Sequence, residues 1–223
     1  MPPRPRFTHA IVVVCVLVFF WEIATMGAGI LTGNVTIGQI DNAGALVPAL
    51  AQQGQWWRIV TSAFLHASII HIGLNMFSLW VLGRFIEPIL GTPRTALVYT
   101  LSLIASGLGV TYFSFGNLQD PTLGASGAIF GIFGALFAIG LKNGPAGLQL
   151  VRANLGILLL NLVFTFAFPG ISKQAHVAGL LTGFLLTLAI YRPLRPVRAQ
   201  VIDSVTGEAL DSTLEEAEPS PHR

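Results

Sequence analysis

Six long apolar stretches constrain the fold of this chain more than any other feature of its sequence. An α-helix needs roughly 17–25 mainly apolar residues to cross the hydrocarbon core of a bilayer, which is about 30 Å thick. The predicted membrane spans cover residues 9–29, 68–88, 94–115, 124–141, 152–168 and 174–191. Only 10% of the residues are charged and 53% are hydrophobic, whereas a soluble domain averages about 25% charged residues. The sequence therefore predicts an all-α polytopic membrane protein that lies in the lipid bilayer.

The composition also excludes several classes of protein. The net charge of +2 is small and dispersed, so we expect no nucleic-acid partner. Cys15 is the one cysteine and lies inside an apolar run, which excludes a disulfide framework and a cysteine metal site. The first apolar run is longer than the roughly 7–15 residues of a signal-peptide core, so we predict a retained span. We expect no cofactor and no bound metal.

Lysine and arginine residues are divided unequally between the two sides of the predicted bundle. Of the eleven within residues 1–198, nine lie on the side of the chain termini, and Arg58 and Lys173 lie on the other side. The positive-inside rule therefore predicts that both termini are cytoplasmic. Beyond residue 192 the chain is charged and poor in apolar residues. We predict a six-helix membrane domain over 1–192 and a cytosolic, disordered acidic tail over 193–223.

Four polar side chains on three predicted spans fall at one depth. Counted from the predicted cytosolic ends of their helices, Ser126 and His176 each lie 15 residues inward and His71 lies 16. At about 1.5 Å of rise per residue, these heights are roughly 22–24 Å. Asn75 follows His71 by one turn on the same helix face. Because polar groups inside spans are costly, four of them in one layer indicate a functional site.

The fourth predicted span is short and begins inside the membrane. Asp120–Pro121 prevents an upstream extension of the helix, which we expect to begin near residue 123 or 124. Its roughly 18 residues give about 27 Å of helix, slightly less than the hydrocarbon core. The unpaired N–H groups of its first turn, in which Ser126 lies, suit an oxyanion. The Asn75 amide and a ring nitrogen of His71 are further predicted oxyanion donors at this depth.

Ser126 and His176 have the chemistry of a nucleophile and its base. A serine hydroxyl becomes nucleophilic when a base within hydrogen-bonding reach takes its proton, and imidazole titrates near neutrality. Glu22 and Glu87 are the only acids inside the predicted spans, and Glu87 lies at the cytosolic end. A third member of a triad is therefore hard to find, and the economical prediction is a Ser–His dyad.

The same residues also have purely structural interpretations. Gly127 and Gly131 form a GxxxG helix-packing pattern, as do Gly179 and Gly183 on the face that carries His176. Contact between these two small faces would bring the serine hydroxyl to the imidazole, so packing and catalysis support one another. Any one of the polar residues taken alone is more often an interhelical hydrogen-bonding group.

Three other polar residues are predicted to be structural. We expect Glu22 and Asn161 to form hydrogen bonds inside the helix bundle. We expect His66 to lie at the membrane interface or beside the residues of the site. These assignments follow from the cost of burying polar groups without partners.

Five short motifs give the chain its resemblance to the rhomboid family of intramembrane serine proteases. "GASG" at 124–127 resembles the nucleophile motif of that family, and "HIGLN" at 71–75 resembles its His-xxx-Asn motif. "AHVAGLLTG" at 175–183 resembles its Ala-His-xx-Gly-xxx-Gly motif. "WWR" at 56–58 and "EPILG" at 87–91 resemble its Trp-Arg and Glu-xxx-Gly motifs. The match covers about residues 7–192, and the combination in this order is highly specific.

The resemblance implies a bundle of six transmembrane helices with Ser126 as nucleophile and His176 as general base. It implies that Asn75, His71 and the Ser126 backbone N–H bind the oxyanion. It also implies that small and aromatic residues support the dyad, namely Gly124, Gly127, Phe130, Gly179 and Gly183. The position of Phe130 is often tyrosine in the family, so here the ring can pack on His176 but offers no hydroxyl.

The resemblance also implies what the protein acts on and where. The expected substrates are single-span membrane proteins, unwound at small or helix-destabilising residues and cut near the outer face. The fifth span and the loop over 168–174 would be the lateral gate and the cap. A bacterial-type member would lie in the plasma membrane, with its active site open to the extracytoplasmic side. We expect neither a seventh helix nor an accessory soluble domain, and the oligomeric state stays open.

Other protein classes fit the sequence less well. A metal-dependent intramembrane protease requires a motif such as H-E-x-x-H, which the sequence lacks. An aspartyl protease requires two intramembrane aspartates, and no predicted span contains one. A small transporter would predict a charge relay or an internal repeat, and neither is found. A catalytically silent rhomboid-like protein that binds membrane proteins is the remaining alternative, although such proteins usually lack the serine or the histidine.

Overall fold

Helices form nearly all of the regular structure of this protein. A computed structural model describes residues 4–113, 118–167 and 171–193, together with the backbone of 201–202 and 209–210. By its contacts the chain separates into units of 1–192 and 193–223. The second unit is the predicted acidic tail, and most of it lies outside the described residues. Within it, the backbone of Val201–Ile202 pairs antiparallel with that of Ala209–Leu210.

Ten α-helices occur in the part of the chain that the structure describes. They are α1 Arg6–Met26, α2 Ile37–Ala43, α3 Pro48–Gln52, α4 Arg58–Thr61, α5 Ile69–Leu90, α6 Thr92–Phe113, α7 Ser126–Lys142, α8 Gly144–Ala153, α9 Leu155–Ala167 and α10 Lys173–Ile190. Two 3-10 helices add Ala28–Thr32 and Ser62–Phe64. The two short strands are β1 Val201–Ile202 and β2 Ala209–Leu210.

The prediction of an all-α polytopic membrane protein is confirmed. Among the described residues, α1, α5, α6 and α10 are long and apolar enough to cross a membrane. The pair α8 and α9 passes the same test together, although its two helices are bent by 55°. The remaining predicted span corresponds to α7, which is apolar but shorter at 17 residues. Each of the six apolar segments therefore contains α-helix in its described residues.

The fifth segment differs from the single continuous helix predicted over 152–168. Asn154 separates α8 from α9, and its side-chain amide donates to the carbonyl oxygen of Leu150 at 2.9 Å. Its backbone N–H donates to the carbonyl oxygens of Val151 and Arg152 as the C-cap of α8. An asparagine that satisfies local backbone groups in this way ends a helix rather than continuing it. The apolar run alone does not reveal this break.

The connection between α1 and α5 contains three short helices and is organised around Arg58. The guanidinium is buried and donates to the carbonyl oxygens of Asp41 and Ala45 at 2.9 and 2.7 Å. It also donates to the Gln55 side chain at 2.7 Å and lies 4.6 Å from the ring centroid of Trp57. A buried guanidinium requires several acceptors. Arg58 therefore holds together parts of the connection that lie up to 17 residues apart in sequence.

The N-terminus of α1 is tied to the C-terminal end of α5 by Glu87. The carboxylate accepts the backbone N–H groups of Phe7 and Thr8, both at 2.9 Å. It also accepts the hydroxyls of Thr8 and Thr92 at 2.7 and 2.8 Å. A carboxylate at a helix N-terminus binds unpaired N–H groups and opposes the positive end of the helix dipole. Glu87 is therefore a structural acid far from the predicted dyad.

The central helix of the bundle is α7, in which every residue from 127 to 136 is buried. Its glycine face lies directly against α10. A Cβ added at Gly179 would strike the carbonyl oxygen of Gly127, and one added at Gly183 would strike that of Gly131. The absence of side chains lets the two backbones touch. This contact fixes the height of Ser126 relative to His176.

Candidate active site

Ser126 and His176 are hydrogen-bonded to each other. The Ser126 Oγ atom lies 2.8 Å from Nε2 of His176. Ser126 is the first residue of α7, and His176 lies in the first turn of α10. The Phe130 ring, one turn after Ser126, stacks on the imidazole with a centroid distance of 4.2 Å and an interplanar angle of 8°. The imidazole is therefore held by a flat aromatic face while Nε2 points at the serine hydroxyl.

The start of α7 differs slightly from the predicted start near residue 123 or 124. Thr122 instead pairs with Leu46 through two backbone hydrogen bonds of 2.8 and 2.9 Å. Gly124 then has a φ of +116°, which no helical residue adopts. The helix begins two residues later, so the serine hydroxyl lies at its very first turn.

His71 and Asn75 lie beside Gly124 on the neighbouring helix α5. A Cβ added at Gly124 would be 2.7 Å from Nε2 of His71 and 3.7 Å from Nδ2 of Asn75. One N–H of the Asn75 amide donates to the carbonyl oxygen of His71 at 3.1 Å. An amide has a second N–H, which this bond leaves for another acceptor. The structure thus brings both predicted oxyanion residues next to the turn that carries the serine.

A cavity of about 410 Å³ joins these groups. Ser126, His176, His71 and Asn75 all line it, with residues of α5, α6, α7 and α9 forming its walls. Most of the other lining side chains are apolar, among them Leu74 and Phe164. A pocket with a few convergent polar groups in an apolar wall is the usual form of an active site. Among the described residues, no group of three His, Cys, Asp or Glu side chains could hold a metal ion.

Thr165 on α9 is a contact of the site that sequence reasoning missed. Its Oγ1 atom lies 3.0 Å from Nδ1 of His176, and the side chain is buried. The signal in the sequence is one hydroxyl residue between two phenylalanines, 11 positions before the histidine. That signal is weak, because isolated threonines in apolar helices usually bond their own backbone.

Glu22 and His66 lie behind His71 rather than beside His176. The backbone N–H of His66 donates to both carboxylate oxygens of Glu22, at 3.1 and 3.2 Å. The His66 ring is fully buried and meets the His71 ring edge to face, with centroids 5.1 Å apart. Burial and the neighbouring His71 lower the pKa of His66 to about 3, against the opposing hydrogen bond to the carbonyl of Phe64. The His66 ring therefore belongs to the packing around His71.

Asn161 connects α9 to α5. Its side-chain amide donates to the Ser78 hydroxyl and to the carbonyl oxygen of Ile157, both at 2.8 Å. Residues 168–170 of the predicted cap loop lie outside the described residues. The described end of that loop includes Ser172, whose hydroxyl accepts the backbone N–H of Ala175 at 3.2 Å and caps α10.

Known proteins resemble this chain over most of its length. A family model described as Rhomboid domain matches residues 53–193. The Rhomboid protease GluP of Bacillus subtilis (strain 168) is 34% identical over 191 residues, which are 85% of this chain and 36% of that protein. RHOMBOID-like protein 6, mitochondrial, of Arabidopsis thaliana is 36% identical over 66% of this chain and 48% of its own. The Rhomboid protease GlpG of Yersinia pestis (strain Pestoides F) is 33% identical over 61% of this chain and 49% of its own. The chain spans between about a third and a half of the length of these relatives.

Proposed function

The chain belongs to the rhomboid family, and on that basis we propose that it is an intramembrane serine endopeptidase with a Ser126–His176 dyad. The observation that carries the proposal is the 2.8 Å hydrogen bond between Ser126 Oγ and His176 Nε2. This bond lies in a cavity enclosed by the helices of an integral membrane protein. A nucleophile paired with a base at such a distance is the arrangement that covalent peptide hydrolysis requires.

The proposed reaction begins with a proton transfer. Nε2 of His176 takes the hydroxyl proton as Oγ of Ser126 attacks the carbonyl carbon of the scissile bond, and the carbonyl oxygen becomes an oxyanion. The proton then passes to the leaving nitrogen, the C–N bond breaks, and an acyl ester on Ser126 remains. Water attacks the ester with His176 as its base, and Oγ leaves with a proton, so the dyad returns to its starting state.

The oxyanion would be bound between α5 and the first turn of α7. The donors that we propose are Nε2–H of His71, the second amide N–H of Asn75 and the backbone N–H of Ser126. Ala67 supports this role, since its backbone N–H points to Nδ1 of His71 at 3.4 Å. A ring nitrogen that accepts a hydrogen bond carries no proton, so the proton of the neutral ring lies on Nε2.

The substrates that we propose are single-span membrane proteins that enter between α5 and α9. Apolar side chains of both helices line the cavity, including Leu74 and Phe164, so its walls suit an apolar polypeptide. A helical substrate keeps its carbonyl groups in internal hydrogen bonds. The cleaved segment must therefore unwind, which small or helix-destabilising residues favour. Both termini of the protease would be cytoplasmic, and the site would open to the extracytoplasmic side.

A cleavage assay with the purified full-length chain tests the proposal. In detergent micelles or in liposomes, the protein is expected to cleave a single-span substrate with a small residue near the outer end of its span. Ser126→Ala and His176→Ala should each lower cleavage by at least about a thousandfold, because the two side chains act as a unit. The matched control is His9→Ala, which removes an exposed histidine in the first turn of α1 and should cleave like the unchanged protein.

Other outcomes of the same assay would contradict the proposal. Cleavage by Ser126→Ala at the wild-type rate would exclude the dyad. Substrate binding without cleavage, by a protein that is monodisperse and folded, would favour a catalytically silent rhomboid-like binding protein. Substrate transport into liposomes without cleavage would favour a small transporter.

A further inference from the structure

The second ring nitrogen of the proposed catalytic histidine has a defined partner. Nδ1 of His176 lies 3.0 Å from Oγ1 of Thr165. The same Oγ1 atom lies 2.7 Å from the carbonyl oxygen of Asn161, one turn earlier on α9. Both contacts are within hydrogen-bonding distance for their atom types. Thr165 thus bridges the backbone of α9 and the imidazole on α10.

Counting protons decides the direction of both bonds. A threonine hydroxyl has one proton to donate, and a backbone carbonyl can only accept. The Thr165 proton is therefore committed to the carbonyl oxygen of Asn161. Toward His176 the hydroxyl oxygen must then accept, so Nδ1 of the ring carries the proton. In the neutral ring this leaves Nε2 with its lone pair directed at the Ser126 hydroxyl, 2.8 Å away.

The contact also fixes the rotation of the ring. Stacking on Phe130 sets the plane of the imidazole but does not distinguish its two edges, because an aromatic face bonds both ring orientations alike. A hydrogen-bond acceptor at Nδ1 does distinguish them. A ring turned by about 180° would direct a C–H group at Thr165 and lose the bond to Ser126.

We propose that Thr165 is a positioning residue that holds His176 in the Nδ1–H tautomer, so that Nε2 is free to accept the Ser126 proton. This inference rests on the proposed function. In a serine protease triad a carboxylate has this task. Here a neutral hydroxyl would have it, with its own direction fixed by the backbone of α9. No covalent step involves Thr165, and its oxygen continues to accept from Nδ1–H when the ring becomes an imidazolium.

Three substitutions separate this role from a structural one. Thr165→Val keeps the shape of the side chain and removes the hydroxyl, whereas Thr165→Ser keeps the hydroxyl. Thr95→Val is the matched control, because Thr95 is a buried helical threonine whose hydroxyl donates to the carbonyl of Gly91 at 3.0 Å away from the site. We expect Thr165→Val to lower kcat about tenfold, the size expected for one neutral hydrogen bond. KM should stay within about twofold, and Thr165→Ser and Thr95→Val should retain a kcat within about twofold.

The tautomer itself is measurable without any cleavage. The probe is full-length protein in micelles with 15N-labelled histidine rings, at about pH 8, where a free imidazole is neutral. The His176 signals are assigned by their loss in His176→Ala. We expect a protonated Nδ1 and an unprotonated Nε2 in the wild-type and Thr165→Ser proteins, and a mixture of tautomers in Thr165→Val. A wild-type ring protonated on Nε2, or a Thr165→Val protein with wild-type tautomer and kcat, would overturn the inference.

The two proposals fail in distinguishable ways. If Ser126→Ala still cleaves, the proposed dyad is wrong, while the nitrogen spectra still decide the tautomer. If Ser126→Ala is inactive and Thr165→Val behaves like the wild type in both measurements, only the positioning role is wrong. If Thr165→Val does not fold, the spectra of the wild-type and Thr165→Ser proteins decide the tautomer.

Discussion

Gly124 shows how one missing side chain shapes the site. Its φ of +116° is a conformation that side chains with a Cβ rarely adopt. A Cβ at this position would also lie 2.7 Å from Nε2 of His71, where the proposed oxyanion donor is located. The residue therefore leaves room for a donor as well as permitting a turn.

Replacing Gly124 by alanine should consequently lower activity. We expect Gly124→Ala to lower kcat about a hundredfold, the usual effect of displacing one oxyanion donor. The measurement is cleavage of a single-span substrate at saturating concentration. Gly73→Ala is the matched control, because Gly73 belongs to the same His-xxx-Asn segment and has open space around its Cβ position. Equal kcat values for the two variants would show that Gly124 does not position the oxyanion donors.

At the level of single residues, the sequence predicts the reacting groups better than their partners. Ser126, His176, His71 and Asn75 stand out because polar groups inside apolar spans are rare. Thr165 does not stand out, because burying a hydroxyl costs little free energy when it donates to a carbonyl of its own helix. Its contact with His176 depends on how α9 is rotated against α10, and periodicity in so apolar a segment does not determine that rotation.

At the level of helices, the approach of α7 to α10 decides whether the two proposed catalytic side chains can meet. The backbones touch because Gly127, Gly131, Gly179 and Gly183 present no side chains to each other. In a bilayer, such packing replaces the hydrophobic effect as a source of helix association. Spacing alone predicts these two faces, since each GxxxG pattern lies on one side of its helix.

A single methyl group on this face should separate the helices. We expect Gly183→Ala to lower the free energy of unfolding by about 1–3 kcal/mol, because the added Cβ would strike the carbonyl oxygen of Gly131. Thermal unfolding in detergent, followed by tryptophan fluorescence, measures the effect. The control is Gly156→Ala on α9, where nothing lies within 4 Å of the added Cβ. A Gly183→Ala protein as stable as this control would mean that the two helices do not pack as described.

Two other features of the helices cannot be predicted from the pattern of apolar residues in the sequence. The break between α8 and α9 depends on the side-chain bond of Asn154 to Leu150, and an asparagine inside an apolar run is equally compatible with a continuous span. The packing of the connection between α1 and α5 includes the bonds from Arg58 to the carbonyl oxygens of Asp41 and Ala45. The acceptors of Arg58 lie up to 17 positions away in the sequence. Local sequence patterns therefore do not identify them.

At the level of the whole molecule, the structure encloses a polar site in a shell suited to lipid. The helices α1, α5, α6 and α10 meet the requirements for crossing a membrane, whereas the shorter α7 lies buried among them. Because α7 begins only at Ser126, its first turn borders the cavity of about 410 Å³. Since liquid water occupies about 30 Å³ per molecule, this volume can admit substrate atoms together with a hydrolytic water.

Mass spectrometry of a covalent adduct tests the central claim most directly. The full-length protein in micelles is treated with a fluorophosphonate, which reacts with a serine only where a base activates it. We predict a phosphonyl adduct on Ser126, none on Ser126→Ala, a rate at least about a thousandfold lower for His176→Ala, and an unchanged rate for His9→Ala. An adduct on another residue, or an undiminished rate on Ser126 in His176→Ala, would contradict the Ser126–His176 dyad.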